Sequence, residues 1–124
     1  MERGYSVSIY GASKELSKVE KIRFKSTENC IRLDEATKEG KVVITPDAYV
    51  ILDVHNEKAN GDKDYRQYVI IDADGTGYLT GSNNLFDTFL DIFNEMDGEP
   101  FQLEILRKPS KNFKGKDFLT CSLI

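Results

Sequence analysis

Apolar and polar residues alternate along much of this chain, and the alternation predicts a succession of short strands. Tyr5-Ser-Val-Ser-Ile-Tyr10 has the period of two that a half-buried strand requires, and Gly11-Ala-Ser breaks it. Lys21-Ile-Arg-Phe-Lys25 alternates again and would turn Ile22 and Phe24 inward with three cations outward. Cys30 to Asp34 offers another short strand, and the polar run from Asp34 to Gly40 reads as a turn or a single helical turn. Val42–Ile44 and Tyr49–Val54 are β-branched and aliphatic, separated by Thr-Pro-Asp-Ala. Asn56 to Asp64 is a loop by composition. Tyr65–Ile71 and Tyr78–Thr80 then flank Asp72-Ala-Asp-Gly75, which predicts a β-hairpin. From Ser82, a good N-cap, the period changes: apolar residues at 85, 86, 89, 90, 92, 93 and 96 form the stripe of a core-facing helix over about residues 83–97. Gly98 and Pro100 end it. Phe101–Ile105 and Phe118–Leu123 alternate once more, the latter with Leu119, Cys121 and Leu123 on one face.

The pattern predicts a mainly β protein with one amphipathic helix, and an OB-like, small, partly open β-barrel would bury all these faces. Residues 1–124 read as a single domain, with no repeat and no linker. Composition adds few constraints. Cys30 and Cys121 stand far apart and are expected to be free thiols acting as small buried hydrophobes. One histidine and no cysteine cluster argue against a zinc site, and no metal or other cofactor is expected. No apolar run reaches membrane-spanning length, and the first residues lack a secretory h-region, so a cytoplasmic protein that avoids membranes is expected.

Charge changes the picture more. The chain carries a net −4, yet the ten residues from Arg107 to Lys116 contain five cations and no acid, leaving −9 on the rest. Crowded like charges repel, and an anionic partner relieves them. Lys111, Lys114 and Lys116 surround Phe113, with Arg107 and Lys108 just before. Cations that neutralise phosphates, interleaved with a ring on which a base can stack, suit single-stranded nucleic acid. A second set, Tyr65, Arg66 and Tyr68 with Arg23 and Lys25, would supply a platform of rings and cations on a sheet face. Other motifs fail. Gly75-Thr-Gly77-Tyr-Leu-Thr-Gly81 has its third glycine one position late for a dinucleotide loop, and Asp72-Ala-Asp74-Gly75 lacks the later glycine and closing glutamate of a calcium loop. His55, at a strand end, reads as solvated, and no nucleophile–base pair argues for an enzyme.

The C-terminal half resembles a known family. The order of strand, Asp-Gly hairpin, amphipathic helix, Gly98-Glu-Pro-Phe-Gln-Leu-Glu-Ile105 and Ser110-Lys-x-x-x-Gly-x-x-Phe118 is similar to that of the single-stranded DNA-binding proteins of tailed bacteriophages infecting Gram-positive bacteria. The resemblance covers roughly residues 65–124. It implies an OB-type barrel, no catalysis, and sequence-tolerant coating of single-stranded DNA in phage replication or recombination. By position it puts Lys111, Phe113, Lys114 and Lys116 on the strand-binding loop. RNA, homo-oligomers and replication or recombination partners stay open, and the chain departs from such proteins in lacking Trp and an acidic C-terminal tail. The competing reading is an acidic protein-binding module, a phage-encoded inhibitor or adaptor of a host protein, working through the −9 body.

Overall fold

A computed structural model describes residues 4–58, 60–109 and 117–124. Eight strands and three helices follow in the order β1 (Tyr5–Ala12), α1 (Lys18–Lys25), β2 (Ile31–Arg32), α2 (Leu33–Ala36), β3 (Val42–Ile44), β4 (Pro46–Asn56), β5 (Asp64–Asp72), β6 (Gly77–Thr80), α3 (Asn83–Met96), β7 (Leu103–Pro109) and β8 (Asp117–Leu123). A 3₁₀ turn, Thr27–Asn29, joins α1 to β2. The strands form a five-stranded sheet in the order β1-β4-β5-β6-β2 and a three-stranded sheet in the order β3-β7-β8. The mainly β class is as expected, but no closed barrel forms among the described residues.

Two apolar clusters lie on opposite faces of the large sheet. One holds Val7, Val50, Leu52, Val54, Val69, Ile71 and Leu79, covered by Leu16 and by Phe24 of α1. The other holds Tyr68 and Ile70 from the reverse face of β5, together with Leu85, Phe86 and Phe89 of α3 and Leu103, Ile105, Leu119 and Cys121 of the small sheet. Burial on both faces explains the unbroken apolar run Tyr68-Val-Ile-Ile71, because a strand covered on both sides has no polar position to keep. Helix α3 is capped by the Ser82 hydroxyl, which accepts from Leu85 N at 3.2 Å. It stops at Asp97, whose left-handed backbone has φ 46°.

The segment expected as a strand over Lys21–Lys25 is helical. Ser17 and Glu20 form a reciprocal capping box, with Glu20 N donating to Ser17 Oγ and Ser17 N to Glu20 Oε1, both at 3.1 Å. Two otherwise orphaned donors are thereby satisfied, which favours helix nucleation over extension. In the helix only Phe24 turns inward, and Ile22 stands 69% exposed. Two shorter differences have local causes. β2 keeps only Ile31 and Arg32, paired parallel to Tyr78 and Leu79, before the chain turns into α2. The Thr-Pro-Asp-Ala separator is largely part of β4: β3 joins the small sheet, while the chain enters the large sheet at Pro46. The turn after β5 forms at Asp72–Gly75, with Gly75 N donating to Asp72 O at 2.8 Å and Gly75 at φ 90°. Cys30 is half-buried and Cys121 buried, both as free thiols, and burial pushes Cys121 up to about 11.

Candidate nucleic-acid interface

The small sheet sets where the cationic segment can act. β7 and β8 pair antiparallel from Leu103↔Leu123 to Pro109↔Asp117, so their far end presents both ends of the connecting segment. Ser110–Lys116 itself, with Lys111, Phe113, Lys114 and Lys116, lies outside the described residues. Leu103, Ile105, Leu119 and Cys121 face the core. By the two-residue period Leu106, Lys108, Phe118, Thr120 and Ser122 then face outward. Lys108 and Phe118 are direct cross-strand partners, and Phe118 is 46% exposed. A half-exposed ring paired across the strands with Lys108, next in sequence to the cationic segment, offers stacking and charge neutralisation together. Phe118 was not singled out from the sequence. Its orientation was nevertheless implicit there, since Leu119, Cys121 and Leu123 share one face and leave Phe118 to the other.

Arg107 has a different position. Its side chain turns to the core side of the hairpin, where Nη2 donates to Asp34 O at 2.6 Å and Nη1 lies 3.7 Å from Asp117 Oδ2. Its Nε is buried without a partner among the described residues. Arg107 thus fastens the hairpin stem to the start of α2 and has little left for a phosphate. Lys108, by contrast, is exposed and makes no ion pair among the described residues.

The expected platform on β5 does not assemble. Tyr65 and Tyr68 are three residues apart on a strand and so lie on opposite faces: Tyr65 packs at the margin of the cluster under α1, and Tyr68 is buried against α3. The Tyr68 ring stacks on Phe86 at 4.1 Å and 10°, and its hydroxyl donates to Asn83 Oδ1 at 2.6 Å. Neither face of that ring is open to a base. Arg66 is exposed, but its Nε donates to Asp53 Oδ1 at 3.0 Å and its guanidinium lies 3.8 Å from the centroid of Tyr10, the extra residue of a β-bulge in β1. Asp53 raises the Arg66 pKa and offsets its charge. Arg23 and Lys25 sit on α1 instead of a sheet face. Arg23 Nη2 donates to Gly75 O at 3.2 Å, which ties the helix to the β5–β6 turn.

His55 closes the β4–β5 end. Its Nδ1 lies 2.7 Å from Asp64 Oδ1 and its Nε2 2.6 Å from Glu57 Oε1, while Lys63 Nζ donates to Glu57 Oε2 at 3.3 Å. Hydrogen bonds from the protonated ring to Asp64 and then Glu57 raise the His55 pKa. With both ring nitrogens held by carboxylates, His55 has no free lone pair with which to take a proton from a nucleophile. Its role is to brace the loop. Among the described residues no group of three or more His, Cys, Asp or Glu side chains could hold a metal ion, and no helix is long and apolar enough to cross a membrane.

No family model matches the chain, and neither the curated proteins nor the solved structures include a match.

Proposed function

We propose that the protein is a non-enzymatic binder of single-stranded nucleic acid, DNA first, using the outer face of the β7–β8 hairpin and the cationic segment it carries. The observation that supports this most is the pairing of half-exposed Phe118 with Lys108 at the root of a run with five cations and no acid. A base stacks on Phe118 and another on Phe113, while Lys108, Lys111, Lys114 and Lys116 follow the phosphates. The acidic residues Asp87, Asp91 and Glu95 on the solvent side of α3 repel the polymer and confine it to the hairpin side. An OB-type relationship, with coating of single strands in phage replication or recombination, belongs to the same reading. It is supported by the mainly β chain and the helix placed between β6 and β7. The test is a titration of fluorescent oligo(dT) at two salt concentrations, repeated with a duplex. Binding that weakens with salt, favours the single strand, and is lost when Lys111, Phe113, Lys114 and Lys116 are replaced together supports the reading. Binding unchanged by that replacement refutes the site.

A protein-binding role is the second reading. It is favoured by the same α3 ridge, where Asp87, Asp91 and Glu95 make no ion pair among the described residues. An oligonucleotide titration with no binding at low salt favours it.

A further inference from the structure

A groove lies at the end of the large sheet, beyond the C-terminus of α1. It measures about 760 Å³. That is the size of a small-molecule site. Its wall is the inner face of β1, where Val7 is buried and the Tyr5 ring is half-buried. Lys25 from the last turn of α1 and Arg32 from β2 stand over it, and neither makes an ion pair among the described residues. Lys58 also lines the groove, and Glu28 is the one carboxylate of the lining among the described residues, so cations outnumber carboxylates there by three to one. Ile22, 69% exposed, forms a lip that covers no part of the core.

An apolar wall with a ring, an uncovered aliphatic lip and two unpaired cations on one side define a ligand by its chemistry: a flat, weakly polar body carrying an anionic group. We infer that this groove is a nucleoside-phosphate site, with the base against Tyr5 and Val7, beneath Ile22, and the phosphate between Lys25 and Arg32. The ligand is either a nucleotide unit of a strand whose next residues lie on the hairpin or a free mononucleotide. The first source rests on the nucleic-acid reading above and has a structural route. Arg32 lies two residues before Asp34, the residue whose carbonyl receives Arg107 of the hairpin stem. Groove and hairpin therefore meet at α2, though the carboxylates of Asp34 and Glu35 lie on that border, and Glu35 is held by Lys38 at 3.7 Å.

The experiment follows backbone amide resonances of the ¹⁵N-labelled full chain while adding thymidine monophosphate, inorganic phosphate or oligo(dT) in turn. Thymidine monophosphate is expected to shift the amides of Val7, Lys25 and Arg32, and inorganic phosphate to leave Val7 in place. A Lys25→Glu, Arg32→Glu double variant should lose those shifts while melting normally, since both side chains are exposed. The Lys25→Gln, Arg32→Gln pair should keep part of them. For oligo(dT), losing the one phosphate held between Lys25 and Arg32 makes the slope of log affinity against log salt shallower by about 0.7. If oligo(dT) moves Lys108 and Phe118 but neither ligand moves the groove, the groove proposal falls and the hairpin interface stands. If thymidine monophosphate moves the groove while oligo(dT) leaves both places unmoved, the groove is a mononucleotide site and the hairpin reading falls. Equal shifts at Val7 from inorganic phosphate overturn the nucleoside part.

Discussion

Tyr68 separates a core role from a binding role in one experiment. It is 9% exposed, its ring stacks on Phe86 at 4.1 Å, and its hydroxyl reaches Asn83 at 2.6 Å. Tyr68→Phe keeps the stack and deletes one hydrogen bond. Asn83 is exposed, so its oxygen turns to water, and the expected loss is about 1 kcal/mol. For a chain of this size that lowers the melting temperature by about 4 °C. Tyr68→Ala removes the ring as well, leaves a cavity under α3 and forfeits the aromatic pair, for a loss of about 4 kcal/mol. This is a large share of the roughly 5–15 kcal/mol that holds such a domain together. Urea unfolding followed by circular dichroism measures both variants, with the midpoint falling at constant slope. Oligo(dT) affinity, measured below the transition, is expected to be unchanged in Tyr68→Phe. A Tyr68→Phe protein with wild-type stability but weakened binding would refute the assignment of this ring to the core.

Phe118→Ala should remove about 1 kcal/mol of stability, because the ring is already half exposed. It should weaken oligo(dT) binding about 5- to 150-fold through the lost stack, read by fluorescence anisotropy. For His55 the folded pKa is raised, so the protonated cluster stabilises fully below the ordinary value near 6.5 and that contribution disappears as pH rises through the folded pKa. The lowered Glu57 pKa gives the opposite limit, a contribution present above the ordinary carboxylate range and lost as pH falls through the lowered value. Urea midpoints should therefore fall as the pH rises above the ordinary histidine value in the wild type more than in His55→Gln, and an equal fall would sink the account. Gly77→Ala would bring a Cβ within 3.1 Å of Cys30 Sγ and 3.2 Å of Val69 Cγ1, in a buried spot between β5 and the end of α1. The expected loss is about 1–3 kcal/mol by the same unfolding assay.

Strands with clean two-residue alternation and the long helix were legible because one face of each is buried and the other is not. β1, β8 and α3 belong to this group. Lys21–Lys25 misled because five residues cannot distinguish alternation from one helical turn with a lone inward Phe24. The Ser17–Glu20 capping pattern just upstream carried the answer. The supposed platform failed on a rule already in hand, since Tyr65 and Tyr68 differ by an odd number of positions and cannot share a strand face. What no local pattern could give is long-range: that Arg107 is drawn to the Asp34 carbonyl, that Asp53 meets Arg66, and that the chain divides into two sheets at Thr45.

That division has a consequence for the order in which the protein assembles. β4 and β5, β5 and β6, and β7 and β8 each pair as neighbours in the chain. β3 has no such neighbour: Val42 pairs with Ile105, about sixty residues later, and closing a loop of that length takes about 2 kcal/mol more entropy than closing a tight hairpin. During synthesis Val42–Ile44 leaves the ribosome well before its partner exists, and waits as an unpaired strand. The hairpin that carries the cations is thus the piece whose arrival completes the second sheet, and a truncated chain ending before β7 would leave β3 with no strand to join.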